Sequence, residues 1–170
     1  MSERAAYALR STGVADTRQI GQILGRLVGP GDVLLLTGDL GAGKTHLTQG
    51  LAEGLGLTDP VTSPTFNLEL VYEEGRLPLY HFDLYRLDDE EQLEQLDFFG
   101  TIEAGGVAVV EWGDRFAAVE GVATAVIEII MLAGDERELR LRACDGRGDK
   151  LLEALRTQLL MEKARTYVED

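Results

Sequence analysis

The sequence contains little cysteine, and this shortage excludes two classes of protein. Its 170 residues include one cysteine, Cys144, so neither an intramolecular disulfide nor a metal site built from several cysteines can form. We interpret Cys144 as a packing residue in a protein of a reducing compartment. The sequence also lacks a basic and apolar N-terminal signal and any run of about twenty apolar residues. We therefore expect a cytoplasmic protein without a membrane span.

Positive charge is scarce as well. The chain has 16 Lys and Arg against 30 Asp and Glu, which gives a formal net charge of −14 at pH 7. Such a charge repels nucleic acids and anionic membranes. We expect no binding to DNA or membranes, and contact with RNA only through a partner protein. The length suits a single domain over residues 1–170 with a sizeable core.

The sequence does contain one complete motif for binding phosphate groups. Residues 38–45 read GDLGAGKT and fit the pattern GxxxxGK(S/T). Glycines let successive backbone N–H groups turn toward one anion, the lysine reaches the β- and γ-phosphates, and the hydroxyl ligates Mg²⁺. The competing interpretation is a glycine-rich turn that binds nothing. The predicted nucleotide ligands in this loop are Gly38, Leu40, Gly41, Ala42, Gly43, Lys44 and Thr45, and Thr45 is also a predicted metal ligand.

The flanks of the loop have the context that the motif requires. Residues 33–36 are a continuous apolar run, as expected of a strand buried on both faces. Leu47, Leu51 and Leu55 then recur at helical spacing before Gly56. The sequence therefore predicts a strand, a phosphate-binding loop and a helix in succession.

The rest of the chain predicts an alternation of helices with mainly hairpin-connected strands. Asp16 is the predicted N-cap of a first helix that ends at residues 29–31. Its apolar face is formed by Ile20, Ile23, Leu24, Leu27 and Val28. Further predictions are hairpin strands over 67–72 and 77–83, an acidic exposed helix over 88–96, a buried strand over 107–110, hairpin strands over 123–132 and 138–143, and a C-terminal helix marked by Leu151, Leu152, Leu155, Leu159 and Leu160. The hairpins mean that the sheet is not purely parallel.

Two carboxylates at strand ends are candidates for catalysis. In phosphate-loop enzymes an acidic residue at the end of an apolar strand steadies the Mg²⁺ shell or orients the attacking water. Glu111 follows the strand over 107–110, with glutamate in place of the commoner aspartate. Asp83 ends the strand over 77–83, and its spacing fits a catalytic role and an ion pair with Arg86 equally well. Both are predicted catalytic residues, and Glu111 is also a predicted metal ligand.

Two ring side chains accompany these carboxylates. His81 alternates with Asp83 along one strand, so it either orients that carboxylate or is a core histidine. Trp112 follows Glu111 directly and either fills the edge of the core or stacks on a ligand.

Four strings occur in a fixed order: GDLGAGKT at 38–45, SPTF at 63–66, HFDLYRL at 81–87 and EW at 111–112. With them the chain resembles the TsaE family, the bacterial ATPases of tRNA threonylcarbamoyladenosine synthesis. The resemblance implies an α/β fold like that of P-loop NTPases, with three layers and a mixed, partly antiparallel sheet. It implies a Mg²⁺-dependent ATPase that works with the TsaB and TsaD proteins and meets tRNA only indirectly.

The resemblance also implies roles for particular residues. Lys44 and Thr45 would bind ATP and Mg²⁺, and Glu111 would be a Mg²⁺ ligand. Asp83 and Thr65 would belong to switch-like segments around the nucleotide, and Arg137 would touch the nucleotide.

The chain departs from the family pattern at two positions. His46 stands where threonine usually follows the GKT string, and Gly113 stands where proline or alanine usually follows the EW string. A neutral imidazole can still donate one hydrogen bond near the α-phosphate.

Two other functions compete with an ATPase. A small-metabolite kinase has this size and loop, with Arg86 or Arg115 as lid arginines. A nucleotide-gated interaction subunit would use its ATP state to control docking. A GTPase is excluded, because the only asparagine, Asn67, is followed by leucine and no Asn-Lys-x-Asp string for guanine recognition exists.

Overall fold

The computed structural model describes residues 3–39, 41–62, 64 and 68–168, with side chains described up to residue 162. The predictions for Leu40, Ser63, Thr65, Phe66 and Asn67 lie outside these residues. Within them, the strands are β1 (Ala6–Ser11), β2 (Val33–Thr37), β3 (Glu69–Tyr72), β4 (Leu79–Asp83), β5 (Val107–Glu111), β6 (Ala125–Met131) and β7 (Arg137–Ala143). The helices are α1 (Val14–Leu27), α2 (Lys44–Gly54), α3 (Glu91–Gln95), α4 (Phe98–Ile102), α5 (Ala117–Glu120) and α6 (Gly146–Val168), with a 3-10 turn at Gly113–Arg115.

The strands form one mixed sheet in the order β1-β7-β6-β2-β5-β4-β3. The strand before the glycine-rich loop, β2, lies inside the sheet and pairs in parallel with β5 and β6. The β3–β4 and β6–β7 pairs are antiparallel, so both predicted hairpins and the mixed character of the sheet are confirmed.

Alternation of side chains along the buried strands separates two cores. Leu34 and Leu36 pack on one face of the sheet with α1, α2 and α6. Val33 and Leu35 pack on the other face with α3, α4 and α5. Helices therefore cover both faces, and the predicted three-layer architecture is confirmed.

The helices α1 and α2 touch at their backbones through glycines on both sides. A Cβ atom on Gly50 would lie 2.1 Å from the Arg18 carbonyl oxygen, and one on Gly25 would lie 2.2 Å from the Leu51 carbonyl oxygen. Only glycine permits this approach without displacing backbone. The helix that begins with Lys44 is thereby fixed against its neighbour.

The predicted cap of α1 is wrong. The helix begins at Val14 with Gly13 as its N-cap, so Asp16 lies inside the first turn. Its Oδ2 accepts the Thr12 backbone N–H at 2.9 Å. A carboxylate at the third helical position can reach back to backbone N–H groups before the helix. Asp16 therefore stabilises the start of α1 from within its first turn.

The strand β1 has no counterpart among the predicted elements. It pairs antiparallel with β7, and Tyr7 and Leu9 pack against the core. The strand is tied to α6 at its start, because the Ala5 backbone N–H donates to Asp149 at 2.8 Å and the Arg4 guanidinium at 2.6 Å. These two hydrogen bonds, the first above all, lower the pKa of the Asp149 carboxyl.

The acidic helix predicted over 88–96 is shorter than expected, and its acidic residues are exposed as predicted. The helix α3 covers Glu91–Gln95, and Leu93 is fully buried. The preceding residues form a turn, because Gln92 accepts the Asp88 N–H through its side chain and donates its own N–H to Asp89 Oδ1 at 3.2 Å. A second short helix, α4, follows without having been predicted.

The predicted C-terminal helix is confirmed as α6. Leu151, Leu152 and Leu155 are buried against the sheet, whereas Leu160 is 62% exposed.

In the part of the chain that the structure describes, no helix combines the length and apolar character needed to cross a membrane. Cys144 is partly buried beside the second core, and burial raises the pKa of its thiol.

Candidate functional site

The glycine-rich loop runs from the end of β2 into the first turn of α2. Gly38, Gly41 and Gly43 have φ angles of 139°, 84° and 112°, a backbone region that glycine adopts far more readily than other residues. A Cβ atom on Gly38 would also lie 2.5 Å from the Ile129 carbonyl oxygen of β6. The strand, loop and helix context that the motif requires is confirmed, and the N–H groups of the first turn of α2 begin at this loop.

Lys44 is the first residue of α2, and its side chain is nearly enclosed, with 7% exposed. Its Nζ donates to the Gly38 carbonyl oxygen at 3.0 Å and lies 3.8 Å from Glu111 Oε1. The same Nζ lies 4.7 Å from the centroid of the Trp112 ring. A carbonyl, a carboxylate and an aromatic face together hold the cation at the base of the loop.

Glu111 ends β5 and is 5% exposed. Its Oε2 lies 2.7 Å from His81 Nε2. Because an ionised carboxylate only accepts hydrogen bonds, the ring nitrogen is the donor. The structure therefore places His81 against Glu111, a carboxylate other than the one that its spacing along β4 suggested.

Asp83 and Glu111 are register partners on the parallel strands β4 and β5. Partners in register point to the same face of a sheet, so the two carboxylates are neighbours. Asp83 is half-buried, and its Oδ1 accepts the Tyr85 backbone N–H at 3.0 Å. The structure brings both predicted catalytic residues to one edge of the sheet.

Trp112 turns the chain sharply after β5. Its φ of 62° lies in the left-handed region, which bulky residues rarely adopt. The ring contacts Tyr85 at a centroid distance of 5.1 Å. Gly113 follows in a buried position where a Cβ atom would lie 2.9 Å from Val119 and 3.0 Å from Val110. Neighbouring valines thus occupy the space that a larger residue at 113 would need.

Arg137 begins β7 and lies against the glycine-rich loop. Its Nε donates to the Ala42 carbonyl oxygen at 2.7 Å, and its Nη1 donates to the Gly134 carbonyl oxygen at 2.9 Å. The sequence indicated Arg137 only through the family resemblance, because the residue is far from Lys44 along the chain. Contact between Arg137 and a nucleotide stays a prediction.

The remaining candidates lie around this site. His46 Nδ1 is 3.4 Å from Gln49 Oε1 within α2. Arg115, one of the two proposed lid arginines, donates from Nη1 to the Tyr85 carbonyl oxygen at 2.5 Å, and its guanidinium lies 5.7 Å from the centroid of the Phe116 ring.

The oxygen donors at the site fit Mg²⁺. The Thr45 hydroxyl lies in the first turn of α2, and the Glu111 carboxylate is held next to Lys44. Hydroxyl and carboxylate oxygens are the hard ligands that Mg²⁺ prefers, with phosphate oxygens and water completing the shell. Among the described residues no group of three or more His, Cys, Asp or Glu side chains is arranged to hold a metal, and a magnesium site shared with a nucleotide does not need one.

A buried strand, a glycine-rich loop and a helix that begins with a buried lysine define a phosphate-loop protein. The family model described as "Threonylcarbamoyl adenosine biosynthesis protein TsaE" matches residues 11–140. The chain therefore belongs to the TsaE family of threonylcarbamoyladenosine biosynthesis proteins.

Individual relatives support this assignment. The chain is 41% identical over 146 residues to the tRNA threonylcarbamoyladenosine biosynthesis protein TsaE of Bacillus subtilis, a match that covers 86% of this chain and 91% of the relative. It is 43% identical over 129 residues to the protein of the same name from Treponema pallidum, with 76% and 95% covered. The crystal structure of Bacillus subtilis YdiB superposes with a TM-score of 0.75 at 34% identity, covering 93% of this chain and 99% of that one.

Proposed function

We propose that the chain is an ATP-binding and ATP-hydrolysing subunit of tRNA threonylcarbamoyladenosine synthesis that acts with TsaB and TsaD. The observation that carries the proposal is the buried Lys44–Glu111 pair at the base of a glycine-rich loop. A lysine at the first position of the helix is the group that reaches the β- and γ-phosphates in phosphate-loop proteins. The names of the relatives supply the pathway.

Each residue of the site has a part in the proposed reaction. Backbone N–H groups of the loop and Lys44 hold the phosphates. Thr45 and Glu111 hold Mg²⁺, which when bound neutralises charge on the phosphate oxygens. Asp83, beside Glu111 in the sheet, orients the attacking water. Arg137 keeps the loop in shape through its hydrogen bond to Ala42.

Hydrolysis by the isolated chain is expected to be slow. In related phosphoryl-transfer reactions an arginine finger contributes about 10³–10⁵-fold in rate. The motifs of this chain place no arginine in that role, so a partner would complete the site. The net charge of −14 is unfavourable for direct contact with tRNA, and TsaB and TsaD would make that contact.

The test measures phosphate release from ATP by the chain alone and after addition of TsaB and TsaD from the same organism. We expect turnover well below the roughly 1–100 s⁻¹ of kinases for the chain alone, and stimulation by the partners without any phosphate acceptor. Lys44→Ala should lose ATP binding in calorimetry while it stays folded. Unchanged ATP affinity of Lys44→Ala, or turnover that requires a small-molecule acceptor, would contradict the proposal.

A further inference from the structure

The structure contains a fully buried histidine beside the proposed metal ligand. His81 has 0% of its surface exposed. Its Nε2 donates to Glu111 Oε2 at 2.7 Å, and its Nδ1 is buried without a hydrogen-bond partner in the described part of the chain. Among the described residues, one nitrogen of the ring thus has a partner, Glu111, and the other has none.

This arrangement is costly if His81 is there only to fill space. A buried polar atom without a partner costs about 1–3 kcal/mol. The cross-strand neighbour of His81 on β5 is Val109, and Leu79 occupies the same face of β4. An aliphatic residue would fill such a position without the cost. Among the described residues, the hydrogen bond to Glu111 is the contact of the ring that an aliphatic residue could not make.

The hydrogen bond divides the two oxygens of the Glu111 carboxylate. Oε2 is held by His81, while Oε1 lies 3.8 Å from Lys44 Nζ on the side of the glycine-rich loop. Glutamate has one more rotatable bond than aspartate, so an unanchored carboxylate has more orientations available. With His81 present, Oε1 faces the loop, where Mg²⁺ and the phosphates would arrive.

We infer that His81 is a positioning residue that orients Glu111 toward Mg²⁺, an inference that rests on the proposed function. Hydrogen-bond partners of metal ligands fix the ligand's orientation, and their loss typically costs about 10–100-fold in metal affinity or activity. His81 acts through Glu111 and touches neither nucleotide nor metal.

The experiment measures ATP affinity by calorimetry with excess Mg²⁺ and with a chelator, and the ratio of the two affinities is the magnesium factor. His81→Phe keeps a buried ring and removes the donor. We expect it to lower the magnesium factor by about 10-fold or more and to leave the Mg²⁺-free affinity close to that of the wild type. His81→Gln places an amide N–H near the position of Nε2, so we expect it to retain most of the factor.

Two further variants separate positioning from packing. Val109→Ala opens a cavity across the strand from His81 and should lower the melting temperature without changing the magnesium factor. In a Glu111→Gln background, His81→Phe should have no further effect on the factor, because the two residues act as one unit. Independent, additive effects in this double-mutant cycle would overturn the inference.

The remaining outcomes are also decisive. If His81→Phe does not fold, His81→Gln and His81→Asn are compared instead. The glutamine amide reaches Glu111, whereas the shorter asparagine amide does not. Equal magnesium factors in these two folded variants would contradict the positioning role. If Glu111→Gln abolishes the magnesium factor but His81→Phe preserves it, the inference about His81 is wrong while the proposed function stands. A wild-type factor of one contradicts the proposed function itself.

Discussion

Lys44 and Glu111 form a buried ion pair in which Nζ lies 3.8 Å from Oε1. Both side chains are almost fully enclosed, so water screens their attraction only weakly. The positive charge that the phosphates of a nucleotide need is therefore already engaged by a carboxylate of the same chain. Under the proposed function, ATP without Mg²⁺ would have to compete with Glu111 for Lys44, whereas Mg²⁺ would give that carboxylate a new partner.

The first prediction concerns this competition. Glu111→Gln removes the negative charge while the amide oxygen can still accept from His81. A unit-charge contact near 4 Å is worth about 1 kcal/mol in water and more when buried, so we expect Mg²⁺-free ATP to bind about fivefold more tightly or better. Calorimetry in the presence of a chelator measures this. Glu120→Gln, which removes an exposed carboxylate on α5, is the control for net charge, and equal gains in both variants would contradict the prediction.

The sequence predicted the parts of this site that are contiguous. The strand, loop and helix around Lys44 follow one another in the chain, and their residue types are dictated locally. The contact between His81 and Glu111 instead depends on the register of β4 and β5 across 30 residues. Strand ends can be read from sequence, but the pairing that brings two particular side chains together is set by the whole sheet.

The absence of β1 from the predicted elements and the wrong predicted start of α1 also result from tertiary contacts. The strand β1 reads AYALRS, in which alanines and polar residues give little strand propensity. It becomes a strand because β7 offers a partner edge and Asp149 fixes its start. The start of α1 was misplaced because Asp16 binds the backbone from inside the helix. Tertiary contacts outweigh weak local preferences in both cases.

The second prediction tests the role of Arg137 as a brace of the loop. Arg137→Ala removes the hydrogen bond to the Ala42 carbonyl and the one to Gly134. A less ordered loop should bind ATP more weakly by about fivefold, corresponding to roughly 1 kcal/mol, to the same extent with and without Mg²⁺. Calorimetry under both conditions checks this. Arg140→Ala is the matched control, since Arg140 lies on the same strand and pairs with Glu138 and Glu128. Similar losses of ATP affinity in the two variants would rule out a specific role of Arg137 in ordering the loop.

The third prediction concerns the glycine contact between α1 and α2. Gly50→Ala would place a methyl group 2.1 Å from the Arg18 carbonyl oxygen. Backbone has to shift to relieve that overlap, so we expect a loss of about 1–3 kcal/mol in unfolding free energy, despite the better helix propensity of alanine. Urea denaturation measures the change. Gly146→Ala, where an added Cβ atom would meet no other atom within 4 Å, should be close to neutral. Equal stability of Gly50→Ala and wild type would show that the two helices separate readily.

The last prediction concerns Asp83, for which a catalytic role and a structural ion pair were equally consistent with the sequence. In the structure Asp83 is the register partner of Glu111, and its Oδ1 accepts the Tyr85 backbone N–H at 3.0 Å. Asp83→Asn retains an oxygen for that hydrogen bond and removes the charge. If the carboxylate orients the attacking water, the variant should fold and bind ATP normally but lose partner-stimulated hydrolysis by about 10²-fold or more.

The structural alternative gives the opposite pattern for the same substitution. Loss of an ion pair at the protein surface costs only about 0–1 kcal/mol of stability and leaves the chemical step intact. The measurement is phosphate release in the presence of TsaB and TsaD, with Asp88→Asn, an exposed carboxylate beyond β4, as the control for charge. A folded Asp83→Asn protein with ordinary stimulated rates would show that Asp83 only ends a strand. A selective loss of hydrolysis with ATP affinity retained would instead place its carboxylate at the chemical step. The substitution would then weaken stabilisation of the transition state without weakening binding of ATP in the ground state.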